Sequence, residues 1–154
     1  MRIAQIVKRL ENSKPVWRGS AREAFYDKKS GLVFKRVILG EDRHTNFVNR
    51  EQHIKEAMLY KQMTKEEREI FPIVAVYTDK NGETWIVMRK VNRFPIGKCV
   101  EPYPREDFYR FCNENGFVNA RQVVDFARKY NIADLYGDNV GYIKNKIVII
   151  DCGL

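Results

Sequence analysis

Apolar residues recur at three- and four-residue intervals at the start of the chain, as Ile3, Ile6, Val7 and Leu10 with charges between them, which predicts an amphipathic helix. Asn12-Ser13-Lys14-Pro15 breaks that period. From Val16 to Leu39 the pattern changes to two runs rich in β-branched and aromatic residues around Asp27-Lys28-Lys29-Ser30-Gly31, predicting two strands and a turn entered through a Gly19-Ser20 bend. Residues 45–63 return to helix formers, with Thr45 or Asn46 as the cap, and "TKEERE" (64–69) extends this helix or begins another. "PIVAVYTD" and "TWIVMRKV" flank Asn81-Gly82, a strong signal for a second hairpin.

The second half reads differently. "RFPIGKCVEPYP" (93–104) is irregular and proline-bearing, a connector. "REDFYRFCNENG" and "NARQVVDFARKY" predict two helices, the latter with an apolar face of Val123, Val124, Phe126, Ala127 and Tyr130. "VGYI" and "IVII" around "KNK" then predict a short apolar hairpin. The fold class is therefore α+β: one domain of two parts, about 1–91 and 92–154, with no internal repeat.

At 154 residues with 44% hydrophobic content the chain can bury a core. Its net charge of +8 is concentrated early: ten Lys and Arg against Glu11, Glu23 and Asp27 in the first forty residues. That field favours anionic partners without choosing among nucleotide, polynucleotide and acidic protein. Cys99, Cys112 and Cys152 are odd in number and unpaired in spacing, and only His44 and His53 could join them, which argues against a disulfide framework or a zinc site. Both histidines read as surface residues. No apolar run is long enough to span a membrane, and a reducing cytoplasm is the expected setting.

The candidate chemistry lies at the end, in "DLYGDNVGYIKNKIVIIDCG" (134–153). A hairpin over 140–150 brings the loop before it, Asp134 to Asn139, close to the loop after it, Asp151 to Gly153. Asn139 and Asp151 could then share a Mg²⁺, a hard cation that takes carboxylate and carboxamide oxygens. On these residues alone, Asp, Asn and Gly are equally the makings of a turn.

"DLYGDN" followed by "IIDCG" resembles the catalytic and metal loops of the protein kinase and aminoglycoside phosphotransferase superfamily, D-L-x-x-x-N and D-F-G. The resemblance implies a two-lobed fold with a small antiparallel-sheet N-lobe, and ATP and Mg²⁺ as ligands. It makes Asp134 the catalytic base and Asn139 and Asp151 the metal ligands. Upstream, "VFKRV" resembles the strand carrying the phosphate-binding lysine, here Lys35, and the next helix offers Glu56 as its ion-pair partner. Glu51 is the rival, about 140° away round the helix; Leu59, Tyr60 and Met63 beside Glu56 favour the latter. Gly19, Ser20 and Ala21 occupy the position of the phosphate loop. "WIVMRKV" is similar to the strand leading to the adenine-holding hinge, with Val87 or Met88 near the gatekeeper position and Arg89 to Val91 as hinge backbone. The compact form is similar to kinase-like proteins of phages and mobile elements.

Departures from the family pattern bear on activity. Ile132 and Ala133 stand where His-Arg or His-Gly is usual, Cys152 replaces the Phe of the metal loop, and one glycine serves the phosphate loop. Leu154 follows Gly153, so a strongly truncated C-lobe without a peptide-seating surface is expected. The resemblance implies an ATP- and Mg-dependent phosphotransferase acting on a protein hydroxyl, its own or another's. The alternative is a non-catalytic module that docks on a partner protein or on a second copy of itself. A nucleic-acid binder is a third, less favoured reading that rests on the N-terminal charge alone.

Overall fold

A computed structural model describes residues 2–94, 105–132 and 139–151. It is α+β and divides into two compact units, Met1–Gln62 with Ile73–Lys90, and Met63–Pro72 with Val91–Leu154.

The first unit holds helix α1 (Ile3–Leu10), strands β1 (Trp17–Arg18), β2 (Arg22–Asp27) and β3 (Leu32–Val37), helix α2 (Arg43–Gln62), and strands β4 (Ile73–Thr78) and β5 (Thr84–Arg89). The strands form one antiparallel sheet in the order β1-β2-β3-β5-β4. Strand alternation sorts its side chains. Ile6, Val7 and Leu10 of α1 bury against Phe25, Phe34, Trp85 and Val87 of the sheet. Lys35, next to Phe34 on β3, takes the opposite direction, to α2. Each hairpin is fixed by an Asp. Asp27 accepts from the Ser30 N–H and from Arg9, and Gly31 takes the left-handed φ of 72° that closes the β2–β3 turn. Asp79 accepts from the N–H groups of Asn81 and Glu83 and from Trp85 Nε1, with Gly82 at φ 81°.

Three details differ from the expected pattern. Residues 16–39 make three strands, because the two-residue β1 pairs Trp17 with Ala24 and Arg18 with Glu23. Helix α2 begins earlier, at Arg43, since the Asp42 carboxylate accepts from both the N–H and the hydroxyl of Thr45. Asn46 instead folds its amide onto Gly40, donating to its carbonyl at 2.8 Å and accepting from its N–H at 2.9 Å. His53 is not a surface residue: it is 1% exposed, with Nε2 donating to the Thr84 carbonyl at 2.9 Å.

The second unit contains a 3-10 turn (Glu67–Glu69), strand β6 (Asn92–Arg93), helices α3 (Arg105–Glu114) and α4 (Ala120–Lys129), and the hairpin β7 (Val140–Ile143) with β8 (Lys146–Ile149). "TKEERE" therefore neither extends α2 nor forms an α-helix. Thr64 and Glu67 make a reciprocal capping pair, and the segment is tied to its own unit by Lys129 on Glu67 and by the Ile149 N–H on the Ile70 carbonyl. Strands β6-β7-β8 form an antiparallel sheet, and at Gly141 a Cβ would stand 2.4 Å from the Asn92 carbonyl oxygen. The apolar face of α4 is buried as expected at Val123, Val124, Phe126 and Ala127, while Tyr130 is half-buried. Asn119 links α4 to the hairpin: its amide bonds both the N–H and the carbonyl of Ile147 at 2.8 Å each.

Candidate functional site

The central polar feature of the first unit is built on Glu56. Residues 43–62 wind as one helix, and the second turn from its C-terminal end places Glu56 over the sheet, where it is 1% exposed. Lys35 Nζ donates to Glu56 Oε1 at 2.5 Å, and Arg22 Nη1 lies 2.9 Å from Oε2. Both cations are themselves buried. Register explains the convergence. Ala24 faces Lys35 across the β2–β3 ladder, so Arg22, two residues before Ala24, lies on the same face as Lys35 and diagonal to it. Glu51, the rival for Lys35, is exposed.

A carboxylate held by two cations, each on a separate strand, is a rigid arrangement. Burial of one carboxylate and two cations is tolerable because Coulomb attraction and hydrogen bonding replace the lost hydration. It also fixes where the Lys35 ammonium sits. No local sequence pattern marks Arg22. Its signal is spatial, a strand-start arginine one diagonal step from Lys35.

The turn between β1 and β2 holds Gly19, Ser20 and Ala21 immediately before Arg22. Gly19 has a local structural reason: its N–H donates to the Arg22 carbonyl at 2.9 Å, and a Cβ on it would stand 2.6 Å from the Trp17 indole. Met88 is buried on β5, paired with Val33 and Ile73. Arg89 ends β5, and the chain passes from the first unit to the second between Lys90 and Val91, within the stretch expected to hold an adenine.

In the second unit the hairpin brings Asn139 and Asp151 together. Val140 pairs with Ile149, and beyond that pair the Asn139 carbonyl accepts from the N–H groups of Ile150, at 2.7 Å, and Asp151, at 3.4 Å. The two candidate metal ligands thus flank the same end of one ladder. A carboxylate and a carboxamide are oxygen donors of the kind Mg²⁺ takes, and that ion commonly fills its remaining positions with phosphate and water. Asp134, the expected base, and Cys152 lie outside the described residues.

The most strongly shifted carboxyl here is Glu67. Burial pushes it up, but the nearby Tyr130 hydroxyl, the Lys129 ammonium at 2.9 Å and the Thr64 N–H outweigh that and hold its pKa at about 2. Cys112 is buried inside α3. No helix among the described residues is long and apolar enough to cross a membrane. Compared with known proteins, the chain matches no family model and no curated sequence.

Proposed function

We propose that the chain is a minimal protein-kinase-like phosphotransferase, its first unit the counterpart of a kinase N-lobe and its second a reduced helical C-lobe. The observation that carries this reading is the buried pairing of Lys35 with Glu56, 21 residues apart in sequence, on a strand and the helix after it. The backbone hydrogen bonds from the Ile150 and Asp151 N–H groups to the Asn139 carbonyl, which set Asn139 and Asp151 at one end of the hairpin, support it as well.

In the proposed reaction Lys35 binds the phosphates of ATP, and Glu56, itself paired with Arg22, holds that ammonium in place. Backbone donors for the phosphates come from Ser20 and Ala21, because the Gly19 N–H already has an acceptor. Asn139 and Asp151 would hold Mg²⁺, which supplies positive charge against the phosphate oxygens. Asp134 takes the proton from a protein hydroxyl as its oxygen bonds to the γ-phosphorus and the bond to the β–γ bridging oxygen breaks, leaving ADP. Catalysis on this account is positioning and electrostatics. Transfer of label from γ-labelled ATP, to the chain itself or to added protein, tests it: the account expects turnover that Asp134→Ala lowers by a hundredfold or more, on the order of what a positioned base contributes. Equal rates would reject the role of Asp134.

A second reading, a non-catalytic nucleotide-binding module that docks on a partner, is favoured by Gly19. The Trp17 indole lies over it and its N–H is engaged, so the turn offers fewer groups to a phosphate than a glycine-rich loop does. Nucleotide binding without turnover would select this reading.

A further inference from the structure

Helices α3 and α4 enclose an open groove of about 680 Å³ on the second unit, and its charge is one-sided. Arg105 from the start of α3 and Arg121 and Arg128 from α4 line it, against the single carboxylate of Asp125. Arg121 and Arg128 are seven residues apart and so share a helix face. All three arginines are exposed, and among the described residues none of their guanidinium groups makes an ion pair or hydrogen bond. Elsewhere exposed arginines of this chain do find carboxylates, as Arg50 finds Glu83 at 2.6 Å and Arg9 finds Asp27 at 2.6 Å. Beside the guanidinium groups the groove presents the ring of Tyr109, 37% exposed, and Val118, 61% exposed.

We infer that this groove binds an acidic peptide segment of a partner protein. Guanidinium forks match planar carboxylates in a bidentate way, and a groove with apolar and aromatic walls takes the side chains between them. A polynucleotide fits worse. Its charge is continuous along the strand, whereas α3 exposes Glu106, Asp107 and Glu114 among its arginines, and Asp125 sits in the groove itself. A peptide with spaced Asp and Glu avoids those repulsions. The inference is independent of the phosphotransferase reading, since no residue of this groove belongs to the nucleotide machinery.

The test is fluorescence anisotropy of a short labelled Asp- and Glu-rich peptide, with a single-stranded oligonucleotide of equal length as comparator. It uses the full chain, the triple variant R105Q/R121Q/R128Q and a charge-matched control, K14Q/K28Q/K29Q, whose lysines are exposed in the first unit. Unchanged thermal melting of the triple variant verifies its fold. The expected result is saturable peptide binding by the wild type, weakened by about tenfold in the groove variant and less than about twofold in the control. Three results each overturn the inference: no peptide binding by the wild type, equal losses in both variants, or tighter groove-dependent binding of the oligonucleotide.

Discussion

Arg22 and Lys35 meet on one carboxylate. Lys35 Nζ is 2.5 Å from Glu56 Oε1 and Arg22 Nη1 is 2.9 Å from Oε2, with Glu56 1% exposed. Glu56 is therefore the keystone of the three, because its loss affects two buried cations while the loss of Lys35 leaves Arg22 on the carboxylate. Glu56→Gln is expected to destabilise by about 3–5 kcal/mol, as removal of one partner from a buried ion pair does. Lys35→Met should cost less, about 1–2 kcal/mol. Urea unfolding of the two variants decides it, and a reversed order would contradict the arrangement.

Asn119 is 5% exposed and satisfies both backbone groups of Ile147 with one amide. Asn119→Ala strands a buried N–H and a buried carbonyl, which costs about 1–3 kcal/mol for each group left without a partner. A loss of roughly 2–6 kcal/mol is expected from chemical denaturation. A change below about 0.5 kcal/mol, the level of an ordinary surface substitution, would show that water replaces the amide at no cost.

Gly141 is required by approach, since a Cβ there would stand 2.4 Å from the Asn92 carbonyl oxygen and 2.5 Å from Val91 Cγ1. Gly141→Ala must push β6 away from β7, and a loss of about 1–3 kcal/mol follows from overpacking. Gly19→Ala meets only the Trp17 ring, which can rotate away, so it should cost less. Thermal midpoints of the two variants make the comparison.

Glu67 sets an acid limit. Its pKa is about 2 in the folded chain against an ordinary 4.5, so the folded state favours the charged form. The stability this contributes is fully present above about pH 4.5 and disappears as pH falls toward 2. Unfolding midpoints measured across that window should fall more steeply for wild type than for Glu67→Gln. Parallel curves would mean that the Lys129 and Thr64 contacts do not hold the carboxyl as described.

Much of the fold is legible locally. The left-handed glycines Gly31 and Gly82 sit in turns that the sequence marks with Asp-x-x-Ser-Gly and Asn-Gly, and the burial of α4 follows its apolar period. What escapes is what depends on distant partners. The two-residue strands β1 and β6 have no period of their own and exist because β2 and β7 supply a ladder. His53 looks like any polar helix residue until β5 provides the Thr84 carbonyl, and Arg22 is one of ten early basic residues until register sets it beside Lys35. Asp42 caps α2 where Thr45 or Asn46 is expected, because all three are good cap chemistry and only geometry shows whose oxygen reaches the helix N–H. The Lys35–Glu56 pair, seen at 2.5 Å, is expected only from the resemblance to a kinase N-lobe, with Glu51 as its rival, since neither residue carries a local signal of its own.

The most direct test of the phosphotransferase account is calorimetric titration of the full chain with ATP, in the presence of Mg²⁺ and in its absence. The account predicts one metal-dependent site, weakened by about tenfold or more in Lys35→Met and in Asp151→Asn, and unchanged in Lys29→Met, an exposed lysine of the same unit as Lys35. No binding by the wild type, or equal affinity in all three variants, would contradict it.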